Sequence, residues 1–382
     1  MAVLRWGLIG GGEGSQVGPA HRMAARLDGL FRFCGGALDV EPNKGISFAQ
    51  SLGADDDRCY GDWREMLDRE RDRSDKLDLV TVATPNATHY EIASAFLVAG
   101  FNVLCEKPMT MRLQEARDIV RLVEKTGLVF AVNYGYTGYP LVRHMRAMVG
   151  RGDLGRIRLI KAEFAHGFHA DAADSDNPRL RWRYDRNLAG ASAVFADAGI
   201  HAFHMACFVS GQSATEVSAD FVSIVSGREL EDDAMLNFRM DGGAIVRLWT
   251  SAIAVGRMHG LTLQVFGEKG GLRWAQEQPN QLYWTPLNGR TEIIERGAAG
   301  LSPEADRASR VAVGHAEGMP LAFANIYRDL ADAIVARQSG PRFDPFDCNY
   351  PTARDGFRSI AAIEAAVRSA ADKGAPFPID PS

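Results

Sequence analysis

The feature that most constrains this chain is a series of short, continuously apolar runs separated by helical periodicity, all within its first third. Runs at 3–10, 31–38, 78–84, 102–105 and 128–132 lack the alternation of a half-exposed strand. They read as strands buried on both faces, as in a parallel sheet covered by helices on each side. Right-handed crossovers make such a sheet doubly wound. After about Tyr134 the pattern changes: 157–164, 215–224, 234–239, 244–251, 261–266 and 271–274 read as strands, several joined by tight glycine turns. Such neighbours pair antiparallel. Helices are expected near 316–336 and 352–371, and 297–309 as a mobile loop. A chain of 382 residues exceeds what one core usually supports. The expected fold class is α/β, with a doubly wound parallel domain over 1–132. An α+β domain built on a mostly antiparallel open sheet follows over 133–382.

The first run leads into GLIGGGEGSQVGPAH, residues 7–21, a strand turning directly into a helix. Glycines there let the backbone approach a pyrophosphate, whose charge meets free N–H groups at the helix start. Gly10, Gly12, Gly14, Ser15, Gln16 and Val17 are the loop residues expected around it. The pattern is imperfect, because the last glycine position counted from Gly10 holds Ser15. Asp39 ends the second strand, where a carboxylate accepts hydrogen bonds from ribose hydroxyls and repels a 2′-phosphate. That combination marks a Rossmann dinucleotide-binding domain and favours NAD, with NADP the alternative because Lys44 is close by.

Three further runs carry a resemblance: ATPNATH at 83–89, CEKPMT at 105–110 and DAGIH at 197–201. With the glycine turn and Asp39, they make the chain resemble the glucose–fructose oxidoreductase, inositol dehydrogenase and rhizopine catabolism family (Gfo/Idh/MocA) along nearly its whole length. The resemblance implies that Ala83, Thr84, Pro85, Asn86, His89 and Glu106 lie along the cofactor. It also implies that Lys107 meets both cofactor and substrate hydroxyl, with a cis peptide before Pro108. Asp197 and His201 stand four apart, on one face if helical. Asp can orient an imidazole while the other ring nitrogen meets substrate. Lys107, His201 and Asp197 are thus the candidate catalytic residues, and which of the lysine and histidine is the formal base is left open. The resemblance also implies that Tyr136 lines the substrate pocket and that Trp182 and Arg183, similar to a W-R element of one family branch, lie near the substrate, where Trp can stack on a ring and Arg can bind diol oxygens in forked fashion. The family often has an acidic residue three after the histidine; here it is His204.

The remaining composition narrows the partners. A net charge of −5 makes no case for nucleic acid or an anionic membrane. No apolar run approaches the ~20 residues of a membrane span, and no leader pattern is visible. Five cysteines are scattered without a C-x-x-C, and most read as buried thiols rather than a disulfide framework, so a cytoplasmic location is expected. The histidine pairs His166/His169 and His201/His204 lack companion ligands, and no metal is expected. The expected activity is NAD-dependent oxidation of a ring hydroxyl in a small sugar, glycoside or cyclitol. The family branch that this chain most resembles points to C3 of a glucose-like pyranoside. Alternatives are an inositol dehydrogenase, a glycosidase or lyase using transient oxidation, and a non-catalytic sugar sensor. Apolar Val246, Leu248 and Trp249, expected on an uncovered sheet face, together with family habit, suggest a homodimer or homotetramer.

Overall fold

The computed structural model describes residues 3–175, 181–340 and 343–381. The chain divides into two compact units: Met1–Gly135 with Met319–Phe357, and Tyr136–Gly318 with Arg358–Ser382. The division after Gly135 lies three residues beyond the expected boundary. The return of Met319–Phe357 to the first unit departs from the reading that gave all of 133–382 to the second.

In the first unit, five parallel strands, β1 (Leu4–Gly10), β2 (Phe31–Ala37), β3 (Leu79–Ala83), β4 (Asn102–Cys105) and β5 (Phe130–Val132), lie in the order β2-β1-β3-β4-β5. Every residue of β3 and β4 is buried, which is why their sequences run apolar without alternation. The crossovers are α1 (Gly18–Leu27), α2 (Pro42–Ser51), α3 (Trp63–Glu70), α4 (His89–Val98) and α5 (Leu113–Thr126). Strand order reverses between β1 and β3, so the crevice of a doubly wound sheet opens at their C-terminal ends. The long helix Met319–Ser339 belongs to this core: its Tyr327 packs edge-on against Trp6 and Phe31.

The second unit starts with α6 (Pro140–Gly150), β6 (Ile157–Ala165), α7 (Arg186–Ala189) and α8 (Ile200–Ser210). It continues through β7 (Ala214–Val222), β8 (Asp233–Met240), β9 (Ile245–Ser251), β10 (Leu261–Gly267), β11 (Gly270–Ala275), β12 (Gln281–Pro286) and β13 (Glu292–Glu295). The short helix α9 (Pro303–Ala308) follows; the long helix is α10, then come α11 (Ala353–Ala371), which runs across the division, and β14 (Phe377–Pro378). Nine strands form one sheet in the order β13-β12-β11-β10-β6-β9-β8-β7-β14. All pairs are antiparallel except β6 with β9.

Two expectations are corrected here. Val246 and Leu248 are fully buried, whereas Arg247 beside them is exposed. The face opposite theirs carries Met235, Asn237 and Arg247 with a half-buried Trp249, so it is less apolar than expected. The segment 297–309 is not a bare loop: Ser302 caps α9, and Leu301, Ala305 and Ala308 are buried. Among the described residues no helix is long and apolar enough to cross a membrane. All five cysteines are free thiols.

Candidate active site

In the first unit β1 runs directly into the glycine turn. Gly10 sits at φ +72°, and a Cβ there would lie 2.5 Å from the Ala83 carbonyl oxygen. Gly12 and Gly14 continue the turn, Gln16 is exposed, and Val17 packs against the core. The glycine missing at Ser15 is supplied later: a Cβ on Gly18 would stand 2.0 Å from the Gly11 carbonyl oxygen. Ser15 Oγ accepts the Gly18 N–H at 3.0 Å, which closes the longer loop. Sequence counting missed Gly18 because the insertion shifts the close-packing position to the helix start. Val17, at the N-cap of α1, offers no side-chain oxygen to the first-turn N–H groups. A helix start of this kind, fronted by glycines, fits a dinucleotide pyrophosphate. Asp39 follows β2, accepts the Glu41 N–H at 3.0 Å and meets Lys44 Nζ at 3.2 Å. The Glu41 N–H and the Lys44 ammonium hold its carboxyl below the ordinary range.

Ala83, Thr84, Pro85 and Asn86 close β3 beside the glycine turn, where the Gly11 N–H donates to the Ala83 carbonyl at 3.1 Å. His89 is fully buried, with Nδ1 at 2.8 Å from the Pro108 carbonyl and Nε2 at 2.8 Å from that of Thr84. It braces two loops, and both ring nitrogens are taken by protein carbonyls. Burial lowers its pKa, although those carbonyls favour the charged form. Glu106 is also buried: Oε1 meets His21 Nε2 at 2.9 Å and Asn133 Nδ2 at 2.5 Å, while Oε2 accepts the Lys107 N–H at 3.1 Å. Burial pushes its carboxyl up, but His21, Asn133 and Lys107 outweigh burial and hold it below the usual range. Lys107 is half-buried at the end of β4, and the peptide joining it to Pro108 is cis, as the resemblance implies.

In the second unit a π-helical turn, Phe195–Gly199, leads into α8. Gly199 lets that turn touch β9, since a Cβ there would be 2.8 Å from Thr250 Cγ2. Glu231 fixes the start of the turn by accepting from Ser192 Oγ at 2.6 Å and the Phe195 N–H at 3.1 Å; burial raises its pKa. Asp197 accepts from Arg183 Nε at 3.3 Å. His201 is buried, edge-on to Tyr136 at 4.7 Å between ring centroids. Tyr136 Oη in turn meets His259 Nε2 at 3.0 Å, and Phe164 packs against His259 at 4.5 Å. His166, at the end of β6, packs on Phe164 at 6.0 Å. Burial and neighbouring His169 push the pKa of His166 down to about 4, and burial lowers that of His259. The structure thus gathers Tyr136, Arg183, Asp197 and His201, and adds His166 and His259. His259 was missed because it lies far along the chain in a loop without periodicity. His204 is buried in α8 against Phe208. The side chain of Trp182 lies outside the described residues. Among the described residues no cluster of three or more His, Cys, Asp or Glu could hold a metal ion.

Residues 4–134 match the oxidoreductase family with an NAD-binding Rossmann fold, and residues 142–273 match the GFO/IDH/MocA C-terminal domain. An uncharacterized oxidoreductase of Bacillus subtilis, YfiI, is 36% identical over 371 residues, covering 96% of this chain and 94% of that protein. The chain belongs to the Gfo/Idh/MocA family. It is an NAD-dependent oxidoreductase, and its glycine turn and Asp39 lie in the matched Rossmann segment. A solved inositol dehydrogenase homolog from Azotobacter vinelandii, complexed with NAD+, matches with a TM-score of 0.95 at 36% identity, covering 98% of this chain and 97% of that chain. Levoglucosan dehydrogenase of Pseudarthrobacter phenanthrenivorans is 28% identical over 311 residues, 74% of this chain and 76% of that protein.

Proposed function

We propose that this Gfo/Idh/MocA oxidoreductase oxidises a secondary ring hydroxyl of a sugar, glycoside or cyclitol, with C3 of a glucose-like pyranoside as the first candidate. The observation that carries this reading is the second-unit cluster, where His201 lies against Tyr136 beside the Asp197–Arg183 pair. Lowered pKa values leave His166 and His259 uncharged at neutral pH. Neutral imidazoles and tyrosines donate and accept, as sugar hydroxyls do, whereas a phosphate ester calls for clustered cations. Bound NAD supplies the hydride acceptor. His201 takes the hydroxyl proton, Asp197 orients it, and Lys107 donates to the alkoxide oxygen as charge develops there. Tyr136, Trp182 and Arg183 orient the ring.

A second reading is supported by the Azotobacter vinelandii inositol dehydrogenase homolog solved with NADH and myo-inositol, which is 35% identical. An inositol and a glucose-like pyranoside present similar runs of equatorial hydroxyls, so the same groups suit either. The deciding experiment incubates the protein with NAD and levoglucosan, methyl glucosides, myo-inositol or sugar phosphates. NADH formation is followed by absorbance and the products by NMR. A ketone at C3 of a pyranoside supports the first reading, and NADH only with inositols moves the assignment to the second. Turnover only with phosphorylated sugars overturns both, and turnover without net NADH indicates transient oxidation by a glycosidase or lyase. Five free thiols suit a cytoplasmic enzyme. A homodimer or homotetramer is our expected assembly, and a monomer by light scattering at micromolar concentration would refute it.

A further inference from the structure

The proposed hydride transfer leaves unused a polar chain buried in the first unit. Trp6 Nε1 donates to Thr81 Oγ1 at 2.9 Å, and Thr81 Oγ1 lies 3.0 Å from Tyr327 Oη. Tyr327 Oη lies 2.9 Å from His21 Nδ1, and His21 Nε2 lies 2.9 Å from Glu106 Oε1. Trp6, Thr81 and His21 are wholly buried, and Tyr327 and Glu106 nearly so. The members come from β1, β3, α10, α1 and the end of β4.

The ends of this chain are chemically fixed. An indole N–H can only donate, and an ionised carboxylate can only accept. With a neutral imidazole one proton order satisfies every member: Trp6 to Thr81, Thr81 to Tyr327, Tyr327 to His21 Nδ1, and His21 Nε2–H to Glu106. Each donor then points toward the carboxylate, whose other oxygen accepts the Lys107 N–H. His21 lies in α1, the helix that begins at the close-packed Gly18 of the glycine turn. One imidazole therefore links the dinucleotide-facing helix to the backbone of the lysine.

We infer that His21 is a positioning residue: it holds the Glu106 carboxylate that fixes the Lys107 backbone, so the cofactor helix and the lysine are seated together. The inference rests on the proposed role of Lys107. In a buried site, loss of the imidazole leaves Glu106 Oε1 with Asn133 as its one remaining side-chain donor, so the carboxylate is held less firmly.

The test compares His21→Leu, His21→Gln, Glu106→Gln and Lys107→Ala in the full-length protein. His21→Leu is expected to lower kcat about 10- to 100-fold, as for other groups that orient a reacting side chain. NADH affinity, read by fluorescence, should stay within about two-fold of the parent, because no pyrophosphate-facing group is removed. His21→Gln, which keeps a donor for Glu106, should recover most of the loss, and Glu106→Gln should reproduce it. Long-range nitrogen–proton NMR of the unsubstituted protein should show His21 as the Nε2–H tautomer, assigned by its loss in His21→Gln. A folded His21→Leu with parental kcat, or an Nδ1–H tautomer, overturns the inference. So does a loss confined to NADH affinity. If His21→Leu does not fold, the NMR tautomer and Glu106→Gln decide. An active Lys107→Ala would instead refute the reading of the lysine itself. An inactive Lys107→Ala beside normal His21 variants would refute only the inference.

Discussion

Lys107 reaches its position because a parallel strand delivers side chains at its C-terminal end, the edge at which ligands meet a doubly wound sheet. Replacing Lys107 or His201 by alanine should lower kcat about 100- to 10,000-fold, the range for general acid–base groups. His201→Ala should leave NADH affinity near its parental value by fluorescence titration. Asp39 makes a second residue-level prediction. Its carboxylate is paired with the Lys44 ammonium, so Asp39→Ser removes repulsion toward a 2′-phosphate and also releases a cation to meet it. The ratio of kcat/KM for NADP to that for NAD should rise, and adding Lys44→Ala should reverse part of the gain. An unchanged ratio in Asp39→Ser would refute the argument. Lys107 and Asp39 follow strand ends, where a sequence marks a position, whereas His201 lies in α8 behind a π-helical turn that no periodicity announces. The surroundings of His89 were not legible, because nothing in the run 83–89 announces two carbonyls closing on one buried ring.

Arg296 illustrates why some elements escaped a sequence reading. Its buried guanidinium donates to the Val311, Ala312 and His315 carbonyls at 2.7, 3.0 and 2.6 Å and pairs with Glu317 at 3.2 Å. Glu317 in turn accepts the Arg310 and Val311 N–H groups at 2.6 and 2.9 Å. A glycine-rich, polar stretch thus gains order from one ion pair, which no periodicity announces. Arg296→Met should strand the Glu317 charge and cost about 3–5 kcal/mol by urea unfolding, with new protease cleavage between 297 and 318. Parental stability would show that the segment is ordered by something else. The parallel strands were readable almost to the residue, because burial on both faces forces unbroken apolar runs. Short β12, β13 and β14 were missed: β12 mixes buried Leu282 with half-exposed Tyr283 and Trp284, β13 has no buried residue, and β14 is two residues long.

For the molecule as a whole, acid sensitivity follows from its histidines. His166 titrates near 4 when folded, against 6.5 ordinarily, because burial and His169 oppose its charging. Between those values the unfolded chain binds more protons, so stability should fall as pH drops through that window. His166 alone accounts for up to about 3 kcal/mol at the acid end. His166→Gln should flatten the fall between urea midpoints measured at neutral and at mildly acidic pH, and an equally steep fall would exclude His166 as its source. The two-unit plan was legible in outline, but the return of Met319–Phe357 was not, because helical periodicity does not say which sheet a helix will cover. That return has a consequence for synthesis and for engineering. The ribosome releases the five parallel strands long before α10, yet Trp6 and Phe31 find their Tyr327 contact only there. The nascent nucleotide unit must therefore wait for most of the chain to emerge. A fragment cut after Gly135 should be insoluble by itself, whereas one carrying Met319–Phe357 on a short linker should fold.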